Sequence, residues 1–325
     1  MSLRFIMGGS GSGKSCFLYD RIIEESMKNP DKNYFIIAPE QFTLQTQLDV
    51  VSRHPRGGIM NIDALSFERL AFRTLSEVGK DQKTILRDTG KSLLLRRAAD
   101  DVEDQLSVFG HNIHKLGYIN ELKSTLSEFE QYQIGREELG DMIRISEEQG
   151  ALSGKLKDML ILQDKIREYM GQDYITAEGL LESLCPYVSK SAALAGSVVA
   201  LDGFTGFTPI QLSLLGEIFK TADEVLVTAE MDRREEPYRA AEPGKLFYLS
   251  QRNIERLLEI ARETDTEVLD TVWMNDDYPR FREVPAIAFL ERNAFRSDRG
   301  ASYPERPDSI TVRQNRNPEE EVRFV

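Results

Sequence analysis

The 325-residue chain carries 41 basic against 54 acidic residues, a net charge of −13, and is 41% hydrophobic. That length allows about two domains with real cores, and the acidic balance disfavours a generic nucleic-acid binder while leaving room for a local basic groove. Two cysteines, Cys16 and Cys185, are too few for a disulfide framework, a Cys₄ zinc site or an iron–sulfur cluster, and no apolar run approaches a membrane span, so a reduced, cytoplasmic setting is expected.

Residues 3–7, Leu-Arg-Phe-Ile-Met, are short, apolar and strand-like. Next comes Gly8-Gly9-Ser10-Gly11-Ser12-Gly13-Lys14-Ser15, which fits G-x-x-x-x-G-K-[ST], the phosphate-binding loop, or P-loop. The glycines let successive backbone N–H groups turn inward around an anion. Lys14 is suited to the terminal phosphates and the Ser15 hydroxyl to Mg²⁺. Residues 16–25 then have a helical period, with Phe17, Ile22 and Ile23 on one side. Strand, glycine loop and helix together aim the positive end of the helix dipole at the phosphate. A flexible Gly/Ser linker would explain neither the Lys-Ser pair nor the flanking elements. ATP with Mg²⁺ is the expected ligand.

Strand and helix continue to alternate. Residues 34–38 read as a buried strand ended by Pro39, a helix follows from about Phe42, and residues 60–63 form a short strand. Ser66 looks like the N-cap of a helix whose Phe67, Leu70, Ala71 and Leu75 share one side. From residue 85 to 192 the texture changes to a helical rhythm of leucines punctuated by Gly110, Gly135, Gly150 and Gly171, predicting an inserted all-helical domain of about five helices. Strand texture returns at residues 197–202 and again at 224–228, with helices from about Ile210 and over residues 245–263, and a further strand near residues 267–269. A Pro- and Arg-rich stretch carries Arg280, Arg282, Arg292, Arg296, Arg299 and Arg306. Residues 309–313 look like a first strand of something new, and a helix opens at Pro318. The chain is therefore expected to be a piece of a longer protein. His54, His111, Asn112 and His114 show no metal-ligand spacing.

The predicted fold class is α/β: a parallel P-loop sheet interrupted by a helical domain. Its parts are residues 1–84 and 193–308 for the sheet domain, 85–192 for the insertion, and 309–325 for the start of a further unit.

A P-loop site needs a second element, a strand ending in an acid that helps hold Mg²⁺. Residues 197–201 end in Asp202, which fits, and the next residue is Gly203 rather than a carboxylate. Lacking that base, the site keeps its ground-state contacts and loses ~10²–10⁴-fold in rate. Glu40 and Glu230 are the other acids near strand ends. Asp202-Gly203-Phe204-Thr205-Gly206-Phe207-Thr208-Pro209-Ile210-Gln211 resembles motif II of superfamily 1 helicases, matching at Asp202, Phe204, Pro209 and Gln211. Leu65-Ser66-Phe67-Glu68-Arg69-Leu70-Ala71-Phe72-Arg73 resembles a segment those helicases place near the single strand, and Ala38-Pro39-Glu40-Gln41-Phe42-Thr43 stands at the place of motif Ia. Together these segments resemble the N-terminal part of the AddB (RexB) family, the B subunits of AddAB-type ATP-dependent helicase–deoxyribonucleases.

The resemblance implies a superfamily 1 helicase-like domain in a double-strand-break repair complex, with DNA and an A subunit as partners. It implies Ser15 and Asp202 around Mg²⁺, and candidate DNA contacts at Gln41, Thr43, Ser66 and Arg69. Hydroxyls, an amide and one arginine suit phosphate contacts, although a cap or a helix-surface role is as good a reading of each. The family's nuclease domain with its iron–sulfur cluster is not expected here. The glutamine motif upstream of the P-loop has no counterpart in the seven residues before Gly8, and the motif III glutamine is missing after Glu230. A degenerate motor with weak or no hydrolysis is expected. The alternatives are an independent P-loop small-molecule kinase, with the arginine stretch as its lid, and an interaction module with a vestigial P-loop.

Overall fold

The computed structural model describes the whole chain except residues 81–82, 111–112, 114, 275–277 and 297–300. The first half of the sheet comes from β1 (Ser2–Gly8), β2 (Tyr34–Ile37) and β3 (Ile62–Leu65), alternating with α1 (Lys14–Lys28), α2 (Thr43–Arg53) and α3 (Phe67–Glu77). Between β4 (Thr84–Ile85) and β5 (Tyr174–Ile175), which pair in parallel, run α4 (Asp88–Val102), α5 (Leu116–Gln131), α6 (Arg136–Ile145) and α7 (Gly150–Met170). α8 (Ala177–Leu184) leads back to the sheet through β6 (Val198–Leu201), α9 (Pro209–Phe219), β7 (Glu224–Glu230), α10 (Tyr248–Glu263), β8 (Glu267–Val268) and β9 (Val272–Trp273). α11 (Pro285–Asn293) and α12 (Pro318–Phe324) follow.

The seven-stranded sheet has the order β3-β2-β6-β7-β1-β8, with β9 pairing further along β1, and every pairing is parallel. A parallel sheet is buried on both faces, so its strands read as continuous apolar runs whose alternate residues serve different cores. Leu3, Phe5, Met7, Phe35, Ile37, Val199, Leu201, Val225 and Val227 join the core under α3, α8, α9 and α10. Ile6, Tyr34, Ile36, Val198, Ala200 and Leu226 join the opposite core with Leu18, Ile22 and Ile23 of α1 and Val50 of α2. A slip of one residue in any strand would exchange the two sets, so the register is strongly specified.

α4, α5 and α7 enclose a third cluster around Leu95, Phe109, Ile119, Leu122, Met159 and Leu162. Its polar anchor is Asp158, 1% exposed. The carboxylate accepts hydrogen bonds from the N–H groups of Ser107 (2.9 Å), Val108 (2.7 Å) and Phe109 (2.9 Å) and from the Ser107 hydroxyl (3.0 Å). One side chain thereby satisfies three successive amides of the loop after α4, of which that of Phe109 is buried and the other two part-buried.

Three elements differ from the sequence reading. The strand expected at residues 60–63 lies at Ile62–Leu65, because Asn61 is engaged otherwise: its amide donates to the carbonyls of Ser26, Asn29 and Lys32. The strand expected at residues 309–313 does not form; residues 311–313 are exposed and have no neighbouring strand among the described residues, and β structure is not stable unpaired. Conversely, the Pro- and Arg-rich stretch contains α11, begun by Pro285 at its first helical position, where proline is favoured. His111, Asn112, His114 and Arg299 fall outside the described residues.

Asp158→Ala would remove the acceptor of three successive amides, one buried and two part-buried. It is expected to destabilise the chain by roughly 3–5 kcal/mol in urea unfolding, with the earliest loss of amide protection at residues 107–109.

Candidate nucleotide-binding site

Residues 8–15 connect β1 to α1 at the carboxyl edge of the parallel sheet, where open α/β folds place their ligands. Gly11 (φ 76°) and Gly13 (φ 91°) occupy left-handed backbone that other residues enter only with strain. Gly13 is the N-cap of α1 and brings no side-chain cap, so the N–H groups of the first turn belong to the loop interior, the chemistry of an anion site. Within the loop the Ser12 hydroxyl is buried and has no hydrogen-bond partner, and a Cβ added at Gly8 would lie 2.6 Å from it. The Lys14 ammonium donates to the carbonyls of Gly8 (3.0 Å) and Gly9 (2.8 Å). Burial holds its pKa below the usual lysine value, against the opposing pull of the Glu230, Asp202 and Glu291 carboxylates. A backbone nest, an orphaned hydroxyl and a partly desolvated lysine suit a polyphosphate.

Asp202, at the end of β6, is 6% exposed. Its Oδ1 accepts from the hydroxyls of Ser15 (3.0 Å) and Thr228 (2.7 Å), and its Oδ2 accepts from the Tyr19 hydroxyl at 2.6 Å. Ser15 and Asp202, 187 positions apart, are thus brought together, and two adjacent oxygens of this kind fit Mg²⁺. Burial and the Asp202 charge push the Tyr19 hydroxyl pKa well above the usual tyrosine range, so it stays a donor. Gly203 follows with φ 77° and donates its N–H to Thr228 Oγ1 at 3.3 Å.

Tyr19 and Thr228 were missed in the sequence. The available signal was polar character at buried positions: Tyr19 lies one turn after Ser15, and Thr228 interrupts the apolar run of β7. Of the two acids near strand ends, Glu230 is paired in register with Gly8, beside the loop, whereas Glu40 sits in a 3₁₀ turn at the end of β2. A third acid was not foreseeable: Glu291 of α11 accepts the N–H of Ser10 at 3.0 Å across 281 positions of chain. Two arginines of the same stretch are engaged within the fold, Arg292 over the Tyr278 ring (4.7 Å) and Arg296 paired with Asp232 (3.1 Å).

The four candidate DNA contacts lie around the ends of β2 and β3. Gln41 and Arg69 are exposed. The Thr43 hydroxyl donates to the Glu40 carbonyl (2.9 Å), and Ser66 caps α3 by accepting the Arg69 N–H at 3.4 Å. Ser66 also lines a cavity of about 320 Å³ with Pro39, Phe67, Phe204 and Gln211. Phe204 packs on Phe67 (5.5 Å between centroids) and Phe207 (4.9 Å), so the segment resembling motif II and the one beginning at Leu65 share a wall.

Residues 5–291 match the family described as ADDB, N-terminal. The chain belongs to that family. Over its full length it is 40% identical to the B subunit of the ATP-dependent helicase/deoxyribonuclease of Lachnoclostridium phytofermentans. It is 31% and 30% identical to the proteins of the same name from Clostridium novyi and Clostridium acetobutylicum. In each case the AddB-family chain spans 28% of the relative's length. Among the described residues no helix is long and apolar enough to cross a membrane.

Tyr19→Phe removes one of the three donors to Asp202. It is expected to cost about 1.5–3 kcal/mol in urea unfolding, the size of a hydrogen bond to a charged group; an unchanged midpoint would show that the other two hydroxyls suffice.

Proposed function

We propose that this chain is the nucleotide- and DNA-binding region of a B subunit that works with an A subunit in an ATP-dependent helicase–deoxyribonuclease. The complex would act in the cytoplasm on double-strand DNA breaks for recombination, and the motor site of this chain would bind Mg-ATP while hydrolysing it weakly or not at all. The observation that carries the reading is the meeting of Ser15 with Asp202 beside Lys14, next to a glycine where an active motor has its base.

The residues divide the work as follows. Gly8 to Ser15 wrap the phosphates with backbone N–H groups, and Lys14 leaves its loop carbonyls to meet the terminal phosphate charge. Ser15 and Asp202 would hold Mg²⁺, which supplies neutralisation of phosphate charge when bound. Gly203 contributes no carboxylate to orient or deprotonate water. Its left-handed backbone also disfavours any side chain at that position. Binding therefore survives where the chemical step loses its base. Gln41 and Arg69, exposed beside the Phe204 cavity, are assigned to DNA phosphates, with Thr43 and Ser66 fixing the turns that present them. The names of the relatives support the assembly, and the acidic net charge supports a local groove over a broad basic face.

In calorimetry the chain is expected to bind Mg-ATP, Lys14→Ala to abolish binding, and phosphate release with single-stranded DNA to stay at background. Clear turnover would overturn the degenerate-motor assignment. Arg69→Ala is expected to weaken single-strand binding and to flatten the log–log salt slope by roughly 0.7, the value of one phosphate contact; an unchanged slope would return Arg69 to the ordinary surface.

A further inference from the structure

The C-terminal part of the AddB-family chain lies over its own glycine loop. β9 runs beside β1 (Ile6↔Val272, Met7↔Trp273), and the Met274 N–H donates to the Met7 carbonyl at 2.8 Å. From Tyr278 onward the chain crosses the loop. Tyr278 itself takes left-handed backbone (φ 42°, ψ 66°), a strained choice for an aromatic residue. A Cβ added at Gly9 would lie 3.0 Å from the Tyr278 hydroxyl and 2.7 Å from Glu291 Oε1, and one at Gly11 would lie 2.6 Å from the Phe281 ring. The two rings are stacked, 6.4 Å apart at 18°. Glu291 Oε1 takes the Ser10 N–H at 3.0 Å, while its Oε2 is buried with no hydrogen-bond partner.

A carboxylate oxygen is chemically close to a phosphate oxygen: it carries the same sign of charge and accepts from the same backbone N–H. Here it stands on the nest that the sequence pattern assigns to phosphate, near the Lys14 ammonium. The glycines at 9 and 11 leave space for one visitor close to the backbone, and side chains of this same chain fill it. The arrangement is lightly held. One oxygen of Glu291 lacks a donor, which is costly for a buried carboxylate, and α11 buries fully only Ala286. Its far end is clasped to the segment after β7, with Arg234 donating to the Arg292 carbonyl (2.8 Å) and to Asp232 (2.7 Å), which also pairs with Arg296.

We propose that Glu291, with Phe281 beside it, is an intramolecular competitor for the phosphate site, so that nucleotide entry requires α11 to leave the loop and reports loop occupancy to the Asp232–Arg234 clasp. This rests on the loop being a nucleotide site, the function proposed above. Glu291 and a phosphate bearing like charge cannot share the Ser10 shoulder of the loop, so the two states exclude each other and the nucleotide shifts the population between them.

The test uses the 325-residue chain, a fluorescent ATP analogue with Mg²⁺, and hydrogen exchange. Glu291→Ala is expected to tighten nucleotide binding about tenfold, the effect of one charge-assisted hydrogen bond, and Glu291→Gln to tighten it less because the amide oxygen can still accept. Without nucleotide, Glu291→Ala should speed exchange in residues 9–11 only. With nucleotide, wild-type exchange should rise in residues 285–293. Binding that depends on Lys14 yet is unchanged or weakened in Glu291→Ala overturns the competitor while leaving the nucleotide site standing. Nucleotide binding with no change in residues 285–293, or unaltered exchange at residues 9–11 in Glu291→Ala, does the same. If neither wild type nor Glu291→Ala binds nucleotide, the site assignment fails and the competitor with it.

Discussion

A buried carboxylate must be satisfied or neutralised, and Asp202 is satisfied by three hydroxyls from two other elements. Ser15 and Tyr19 come from the first two turns of α1, Thr228 from the middle of β7, and Asp202 from the end of β6. That single group therefore fixes the helix after the glycine loop against two neighbouring strands. Remove the carboxylate and three hydroxyls, those of Tyr19 and Thr228 buried and that of Ser15 half-buried, lose their shortest hydrogen bond. Remove the helix and a buried charge loses its donors. The geometry for gripping a phosphate is held in place by the fold's own polar satisfaction, independently of whether any phosphate is cleaved. A motor that stopped hydrolysing would keep this constellation for structural reasons alone.

Much of the architecture was legible because each element states its period. The strands are apolar runs short enough to be strands, β6 and β7 form the middle of a sheet buried on both faces, and the inserted segment changes to helical spacing over α4 to α8. The site was legible where it is local: eight consecutive residues from Gly8 to Ser15, and an acid closing a strand at Asp202. What escaped was whatever needs three dimensions. Tyr19 reads as one more aromatic in an amphipathic helix until Asp202 is placed beside it. Glu291 reads as an ordinary helix-surface acid until α11 is laid on the loop. Residues 309–313 have the composition of a strand, but a strand is defined by its neighbour, and composition carries no information about that.

The partition of hydroxyls around the ends of β2 and β3 shows the same economy. Ser66 and Thr43 look like binding residues by type, yet each hydroxyl is consumed by the turn it belongs to. Such residues act on a ligand through the backbone they hold, whereas exposed Gln41 and Arg69 keep free reach. A net charge of −13 then has a plain consequence. Long-range attraction to nucleic acid is weak, so the strand binding proposed above would depend on a few placed contacts and on the Phe67–Phe204 wall, which is indifferent to salt.

If hydrolysis is lost, as proposed above, the same local reasoning makes the loss hard to reverse. Position 203 is not simply short of a carboxylate. It has φ 77°, and its N–H is bonded to Thr228, which in turn donates to Asp202. Glutamate there would occupy left-handed backbone at a cost of roughly 1–2 kcal/mol, or would move the turn and loosen the Thr228 bond on which Asp202 relies. A Cβ has room, its nearest neighbour being Pro39 at 3.7 Å, so the obstacle is the backbone and not crowding. The turn after β6 is shaped around glycine, and Asp202, the proposed Mg²⁺ ligand, is linked to that turn through Thr228. On the function proposed above, grip and turnover would be separable in this fold: the first would rest on groups built into the core, and the second would need the turn between Asp202 and α9 to be rebuilt.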